Sequence, residues 1–413
     1  MVPLVLVLAL LTAAEAAAQP PASSPVLTLA QAVERARRES PLRAGAAAIA
    51  EGSASAAALA GRLMNPVIEL RGENFAPGNT NPLLPPPDVF AQVSQPIELA
   101  GKRGLRRDIA GADRDASSLV LAAIERQIAL DTVRAYMRAV RAREVLANLA
   151  TQRDGLGTMV TTMRRRVDEG FAAESDLLRF EAEAARMAAE MARMEIEQTR
   201  ALAELSALLG STTPIAPSML ALPPALEPPA VTDDALGAAV DQRPDIRLAT
   251  ARVDRARLAS TLEDRRRLPD PILTGGYKRT MGQNTAVAGV LLAVPLFDQN
   301  GQTRALASAA ARAAELDREA ARARALTEAK AAIAAAKALT DSLVRVRRDL
   351  LVPAEGVRNA AQAMFREGAT DVLKLVDAER IYADVRREAL ALAIDAYVAA
   401  IEARFAVAQE EIP

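Results

Sequence analysis

The residues of this chain that could do chemistry are carboxylates and basic side chains, because histidine and cysteine are both absent. That removes disulfides, thiol nucleophiles, imidazole bases and the usual transition-metal ligands. Carboxylates alone can serve as general acid and base, but no catalytic signature stands out among them. What does stand out is recurrence. Glu169-Gly170-Phe171, followed by Asp176-Leu177-Leu178, returns as Glu367-Gly368-Ala369, followed by Asp371-Val372-Leu373. Lys374 stands where the first copy has Asp176, and Asp377 follows it.

The recurrence extends to whatever must position these residues. Asn65-Pro66-Val67-Ile68 returns as Asp270-Pro271-Ile272-Leu273, Gln95-Pro96-Ile97 as Val294-Pro295-Leu296, and Ser40-Pro41-Leu42-Arg43 as Arg243-Pro244-Asp245-Ile246. The four landmarks keep one order and one offset of about 200 residues, too long for a solenoid unit. The chain is a duplicated half-molecule. Its first repeat is placed at 19–210 and its second at 232–410, joined by a Pro-rich extended linker at 211–231.

Composition narrows the class. The formal net charge of −1 gives no bulk attraction to nucleic acid, and no nucleic-acid partner is expected. Aromatics are 3% and tryptophan is absent, although 51% of residues are hydrophobic. Such an alanine- and charge-rich chain suits long, closely packed helices. An apolar run from Leu4 to Leu11 before Ala16-Ala17-Ala18 reads as an export signal at 1–18, though no Lys or Arg precedes it. Without cysteine there is no lipid anchor on Cys. No other segment reaches the ~20 apolar residues of a membrane-spanning helix.

Thr28 to Gln31 reads as a capping box opening a helix, which restarts at Pro41 and runs to about Leu63. Thr232-Asp233-Asp234 opens its counterpart. From Lys102 to Val167 there is no proline, and roughly 65 residues of helix span on the order of 100 Å. A similar helix runs from Gln302, with a kink expected at Pro353. Each Glu-Gly reverses the chain because glycine relieves the left-handed conformation at a helix end. In the return helices Leu177, Phe180, Ala184, Met187, Met191 and Met194 form a heptad seam. Leu390, Ile394, Tyr397, Ile401 and Phe405 continue a similar stripe.

Between the helices the period changes to two. Ile68 and Leu70 alternate with Glu69, Arg71 and Glu73, and Val89, Ala91 and Val93 alternate with Gln92 and Ser94. The loop between, 76–88, is rich in breakers. The second half offers strands at 272–279 and 286–296 around a Gly282-Gln283-Asn284 turn. Strands of about 9–11 residues are long enough to cross a bilayer in a barrel. Phe75, Phe90, Tyr277 and Phe297 lie in or beside them, as a membrane-interface girdle would.

Four strands cannot close a barrel alone, but an oligomer could. The stretch Asn65-Pro66 to Phe75, the run Ser94-Gln95-Pro96-Ile97-Glu98-Leu99-Ala100-Gly101-Lys102-Arg103 and the two Glu-Gly turns resemble the TolC-like outer-membrane factors. The branch they look most like serves cobalt–zinc–cadmium efflux. The resemblance implies a fold that is mainly α with a small β part: a long antiparallel α-helical barrel plus four transmembrane strands per chain. Three chains would close a 12-stranded barrel in outer-membrane lipid, with a long periplasmic portion. The implied partners are two further copies, a periplasmic adaptor and an inner-membrane RND-type pump. Adaptor contact would fall on the tips Glu169, Gly170, Phe171, Glu367, Gly368 and Ala369. A periplasmic gate would involve Asp176, Phe365, Thr370, Lys374 and Asp377, although Lys374 departs from the acidic residue expected there. Asp371 reads as a helix N-cap. Glu69, Arg71, Glu73, Gln92 and Ser94 would face a water-filled pore. No catalysis, cofactor or resident metal is expected. Two other readings stay open: a duct for drugs or secreted polypeptide, and a periplasmic helical scaffold with a small sheet.

Overall fold

The computed structural model describes residues 26–75, 86–370 and 372–412. The export signal, the lead at 20–25, most of the first strand loop and the Asp371 cap fall outside these residues.

Helix starts follow local chemistry. Thr28 accepts from the Gln31 N–H while the Gln31 side chain accepts from the Thr28 N–H, and this capping box opens α1 (Leu29–Glu39). Ser40 then caps α2 (Pro41–Leu59), whose proline sits in the first turn, where its missing donor costs nothing. The second half repeats the pair as α5 (Asp233–Asp241) and α6 (Pro244–Arg266). Here the buried Arg243 replaces Ser40 and binds Asp245 at 2.7 Å and Glu328 at 3.4 Å. Its first-half analogue is Arg43 on Glu125 at 2.6 Å.

Two strand pairs leave these helices: β1 (Val67–Glu73) with β2 (Asp88–Pro96), and β3 (Ile272–Thr280) with β4 (Gln283–Leu291). They form one antiparallel sheet in the order β1-β2-β3-β4, so β2 of one half pairs with β3 of the other. β2, β3 and β4 have 9 residues each, within the expected length, while β1 has 7; β4 starts earlier than expected and ends at Leu291, leaving Leu292 and Val294 outside it. The second hairpin turns at Met281-Gly282, one residue before the expected place, since Thr280 pairs directly with Gln283. Both turn residues have positive φ, 51° and 79°, as a type I′ turn requires.

The long helices are α3 (Lys102–Asp168) with its return α4 (Glu174–Leu208), and α7 (Gly301–Val346), α8 (Val352–Arg366) and the return α9 (Val372–Ala406). The expected break near Pro353 begins earlier, as a π-helical turn at Arg347–Leu351. Proline 353 cannot donate to the carbonyl four residues back, and widening the preceding turn accommodates that loss without ending the helix.

Among the described residues four buried clusters hold the bundle, the smallest being Ala336, Ala399 and Ala403 between α7 and α9. The largest joins α1, α3, α4 and α9 around Tyr136, Leu205, Ile401 and Phe405. A second packs α5, α6 and α7 together, and a third runs down the first hairpin through Val145, Leu149, Met163, Phe180 and Met187. Both predicted seams lie in these clusters.

The Pro-rich segment is a docked strap rather than a free tether. Ile215 and Leu220 are buried in the main cluster, and Leu27 forms a parallel bridge with Leu220. The Tyr136 hydroxyl sits between the Leu27 carbonyl (2.7 Å), the Ala221 carbonyl (2.8 Å) and the Ala221 N–H (2.8 Å). Burial pushes its pKa up, against the Ala221 backbone bond and the Arg143 charge.

The chain end is tied down by charge. Arg126, largely buried, donates to the Phe405 carbonyl at 2.9 Å and faces Glu410 at 3.6 Å. Burial raises the Glu410 pKa, opposed by Arg126 and Arg37. Burial also pushes the half-buried Asp245 up, but the hydrogen bonds and charge of Arg243 outweigh it and hold that carboxyl low.

Candidate functional site

Both hairpin tips are built alike. At the first, α3 ends at Glu169, Gly170 takes φ 78°, and the Phe171 N–H reaches back to the Arg166 carbonyl at 2.7 Å. At the second, Glu367 caps α8, Gly368 takes φ 74°, and the Ala369 N–H bonds the Met364 carbonyl at 2.8 Å. These are Schellman closures, which need a residue free to enter the left-handed region. Phe171 is left 80% exposed at the first tip, while Ala369 offers no comparable apolar group at the second.

The gate candidates divide. Phe365 packs on the first-hairpin cluster beside Val372 and Val376, and the Arg166 guanidinium lies 5.6 Å from its ring centre. It therefore ties the two tips together. Asp176 sits in the first turn of α4, where the helix dipole favours an anion, with Arg179 at 3.9 Å. Asp377 and Lys374 are exposed on α9, and Thr370 is partly exposed before it. A cavity of about 180 Å³ lies above the tips between the hairpins, lined by Met159, Phe180 and Met187 against Arg358, Tyr382 and Arg386. Arg358 lies 3.9 Å and Arg386 6.0 Å from the Tyr382 ring centre.

The strand register puts Glu69 opposite Gln92, Val67 opposite Ser94 and Glu73 opposite Asp88. Cross-strand partners point to the same side, so Glu69, Arg71, Glu73, Gln92 and Ser94 share one face. Thr274, Lys278 and Thr285 continue it across the sheet. Ile68, Leu70, Val89, Ala91, Val93, Tyr277 and Val290 share the other. Phe90 falls on the polar face, opposite Arg71 and Lys278, whose cations lie 4.6 and 5.1 Å from its ring centre. It is thus no part of an apolar girdle: its place in the alternation decides its side, and its ring serves the cations. Tyr277, on the apolar face, donates its hydroxyl to Asn284 at 2.6 Å.

One cluster was not anticipated from the sequence. The run from Ser94 to Arg103 is a clamp between sheet and helices. Arg106 grips the nearly buried Glu98 through two nitrogens at 2.8 and 2.5 Å, and donates to the Ala60 and Arg62 carbonyls at 2.7 and 3.1 Å. The buried Lys102 binds Asp270 at 2.9 Å, and Asp270 also accepts from the Leu99 N–H at 2.8 Å. Asp270 is the residue before Pro271, so a landmark of the second repeat locks the motif of the first. Part of the signal was present: Lys102 stands in the first turn of α3, where the helix dipole repels a cation, and so needs a carboxylate partner.

Among the described residues no helix is long and apolar enough to cross a membrane, and no group of three or more acidic side chains is placed to hold a metal ion.

A sheet with one polar and one apolar face, continued by two very long helical hairpins, defines a class of strand-and-hairpin proteins. Comparison with known families places it further. Residues 86–211 and 235–408 match the family described as "Outer membrane efflux protein", and the chain belongs to that family. A relative from Cupriavidus metallidurans, the cobalt-zinc-cadmium resistance protein CzcC, is 25% identical over 319 residues, covering 75% of this chain and 74% of its own. The nickel and cobalt resistance protein CnrC of the same organism is 34% identical over 273 residues, covering 63% of this chain and 62% of its own. Among solved structures, the open state of the MtrE outer membrane channel of Neisseria gonorrhoeae superposes with a TM-score of 0.78 at 16% identity. That match covers 92% of this chain and 89% of the other, and it shows the shared fold.

Proposed function

We propose that this chain is the outer-membrane channel of a tripartite efflux system, a passive duct for heavy-metal cations. The observation that carries the reading is the sheet. It has an apolar and a polar face, and its outer strands β1 and β4 have no described partner on their far edges. An open edge is not tolerated in lipid. Three copies closing a 12-stranded barrel would remove the edges and turn the face with Glu69, Arg71, Glu73, Gln92 and Ser94 toward water. The two repeats, 19–210 and 232–410, would then alternate around the tube, bridged by the strap at 211–231.

The hairpin tips are the surface we assign to a periplasmic adaptor, through Glu169, Gly170, Phe171, Glu367, Gly368 and Ala369, with an RND-type pump beneath. Asp176, Asp377, Lys374, Thr370 and Phe365 are assigned to the constriction, with acidic side chains drawing cations inward. Metal cations are favoured as cargo because CzcC and CnrC are named for cobalt, zinc, cadmium and nickel resistance. Without histidine or cysteine ligands, selection would rest with the pump.

The experiment is deletion of the gene with growth on cobalt, zinc, cadmium and nickel, beside a set of hydrophobic drugs. Lost metal tolerance restored by the full chain is expected. Unchanged tolerance to every metal with lost drug tolerance would replace cations by drugs as cargo. Recovery of the chain in the soluble periplasm would sink the channel itself.

A further inference from the structure

A band of arginine lies where the strands hand over to the helices. Arg62 follows α2, Arg103 and Arg107 open α3, and Arg265, Arg266 and Arg267 close α6; all six are exposed. The helix ends meet there. Arg103 donates to the Gly61 carbonyl, and Lys102 donates to the Leu268 carbonyl. Internal pairing consumes little of the charge. Arg266 has Glu263 at 2.6 Å, and Arg107 reaches only its neighbour Asp108 at 3.5 Å. Arg62, Arg103, Arg265 and Arg267 have no ion pair among the described residues.

Helix-end electrostatics accounts for four of the six arginines. Cations suit the C-terminal ends of α2 and α6, where carbonyls are exposed. They have the wrong sign for the start of α3, whose first turn has no acidic residue at all. Lys102 and Arg106 are spent on Asp270 and Glu98 there, whereas Arg103 has no carboxylate among the described residues and Arg107 reaches only its exposed neighbour Asp108. Their charge stands against the field of their own helix, and this points to an anion outside the chain.

The neighbouring surface says which kind. Leu63, Met64, Leu268, Leu296 and Phe297 are exposed in the same linking segments, Phe297 completely. An apolar band with cationic side chains on its rim is the pattern of a surface seated in a lipid interface. We propose that this arginine collar binds the phosphate headgroups of anionic phospholipids in the periplasm-facing leaflet, an inference that rests on the outer-membrane reading above. Guanidinium groups grip phosphate through paired N–H donors. An acidic protein surface would answer the charge but leave the apolar band without a partner.

The full chain, purified in detergent, is titrated with phosphatidylglycerol or phosphatidylcholine of matched acyl chains, and bound lipid is counted by native mass spectrometry. Preferential retention of phosphatidylglycerol is expected. Replacing Arg103 and Arg107 together by Gln should cut that preference about tenfold, while Lys at both positions should keep most of it. Circular dichroism and oligomer size check that each variant is folded. Equal retention of both lipids, or an unchanged preference in the folded Gln variant, overturns the collar. So does displacement of the lipid by millimolar inorganic phosphate, which would mean a free-anion site, or by an acidic peptide at similar concentration. A chain absent from the outer-membrane fraction fails the reading beneath; one present there without headgroup preference fails this inference alone.

Discussion

Glu98 is nearly buried and holds Arg106 through two nitrogens. Replacing it by Ala would strand a guanidinium that keeps only two carbonyl partners, at a cost of about 2 kcal/mol. A lowered thermal midpoint, with the helix signal otherwise intact, is the expected outcome. The acid–base behaviour of two other carboxyls should have opposite slopes. Asp245 is held low by Arg243, so its contribution is present above its unfolded pKa and lost as pH falls through the folded one. Glu410 is held high by burial, so its contribution is present at low pH and lost as pH rises through the folded value. Thermal midpoints between pH 3 and 7, a range of roughly the carboxylate titration, should therefore separate the variants. Asp245→Asn should be less stable than wild type near neutrality, and Glu410→Gln should not. Of these residues the sequence singles out Glu98, in a motif, and Asp245, in a repeated landmark. Burial of Asp245 and Glu410 depends on helices far apart in the chain, which no local pattern records.

Elements were more legible than their joints. The 3.6-residue and two-residue periods located every long helix and all four strands, because each buries or aligns one face. Ends were misjudged where tertiary pairing decides them. Thr280 pairs with Gln283 and so moves the hairpin turn to Met281-Gly282. Pro353 marks a missing donor but does not reveal that the helix widens through Arg347–Leu351. Prolines made 211–231 read as an extended linker, but they do not reveal that Tyr136 anchors it from a helix more than one element away. Tyr136→Phe would leave two carbonyls and an N–H buried without their hydroxyl, at about 2–3 kcal/mol. A fall in thermal midpoint together with faster amide exchange at Leu27 and Ala221 is expected; an unchanged exchange pattern would mean that the strap is held by its apolar contacts and the backbone bonds of the Leu27–Leu220 bridge without help from the hydroxyl.

At the scale of the whole molecule, the duplication was readable from repeated landmarks, and the long hairpins from uninterrupted helical pattern. The pairing of β2 with β3 was not, because strand order across a duplicated chain leaves no trace in either copy. Closure by three chains makes a prediction suited to a protein without cysteine. Leu70→Cys on β1 can be combined in turn with Ala286→Cys, Ala288→Cys or Val290→Cys on β4, all on the apolar face. In isolated membranes at least one pair should give a cross-linked ladder ending at three chains. Monomers from every pair would argue against a barrel shared between copies.

The join between the halves also bears on biogenesis. The Met281 N–H bonds Asp88 across 193 positions of chain, and β2 meets β3 over a similar span. The first hairpin of strands is therefore synthesised long before its neighbour exists. Local helices can form at once, but the sheet must wait for almost the whole polypeptide, and non-local strand pairing is slow. During that wait an unpaired amphipathic edge is exposed to every other nascent chain. Whatever keeps that edge covered until the second hairpin is made should raise the yield of folded chain.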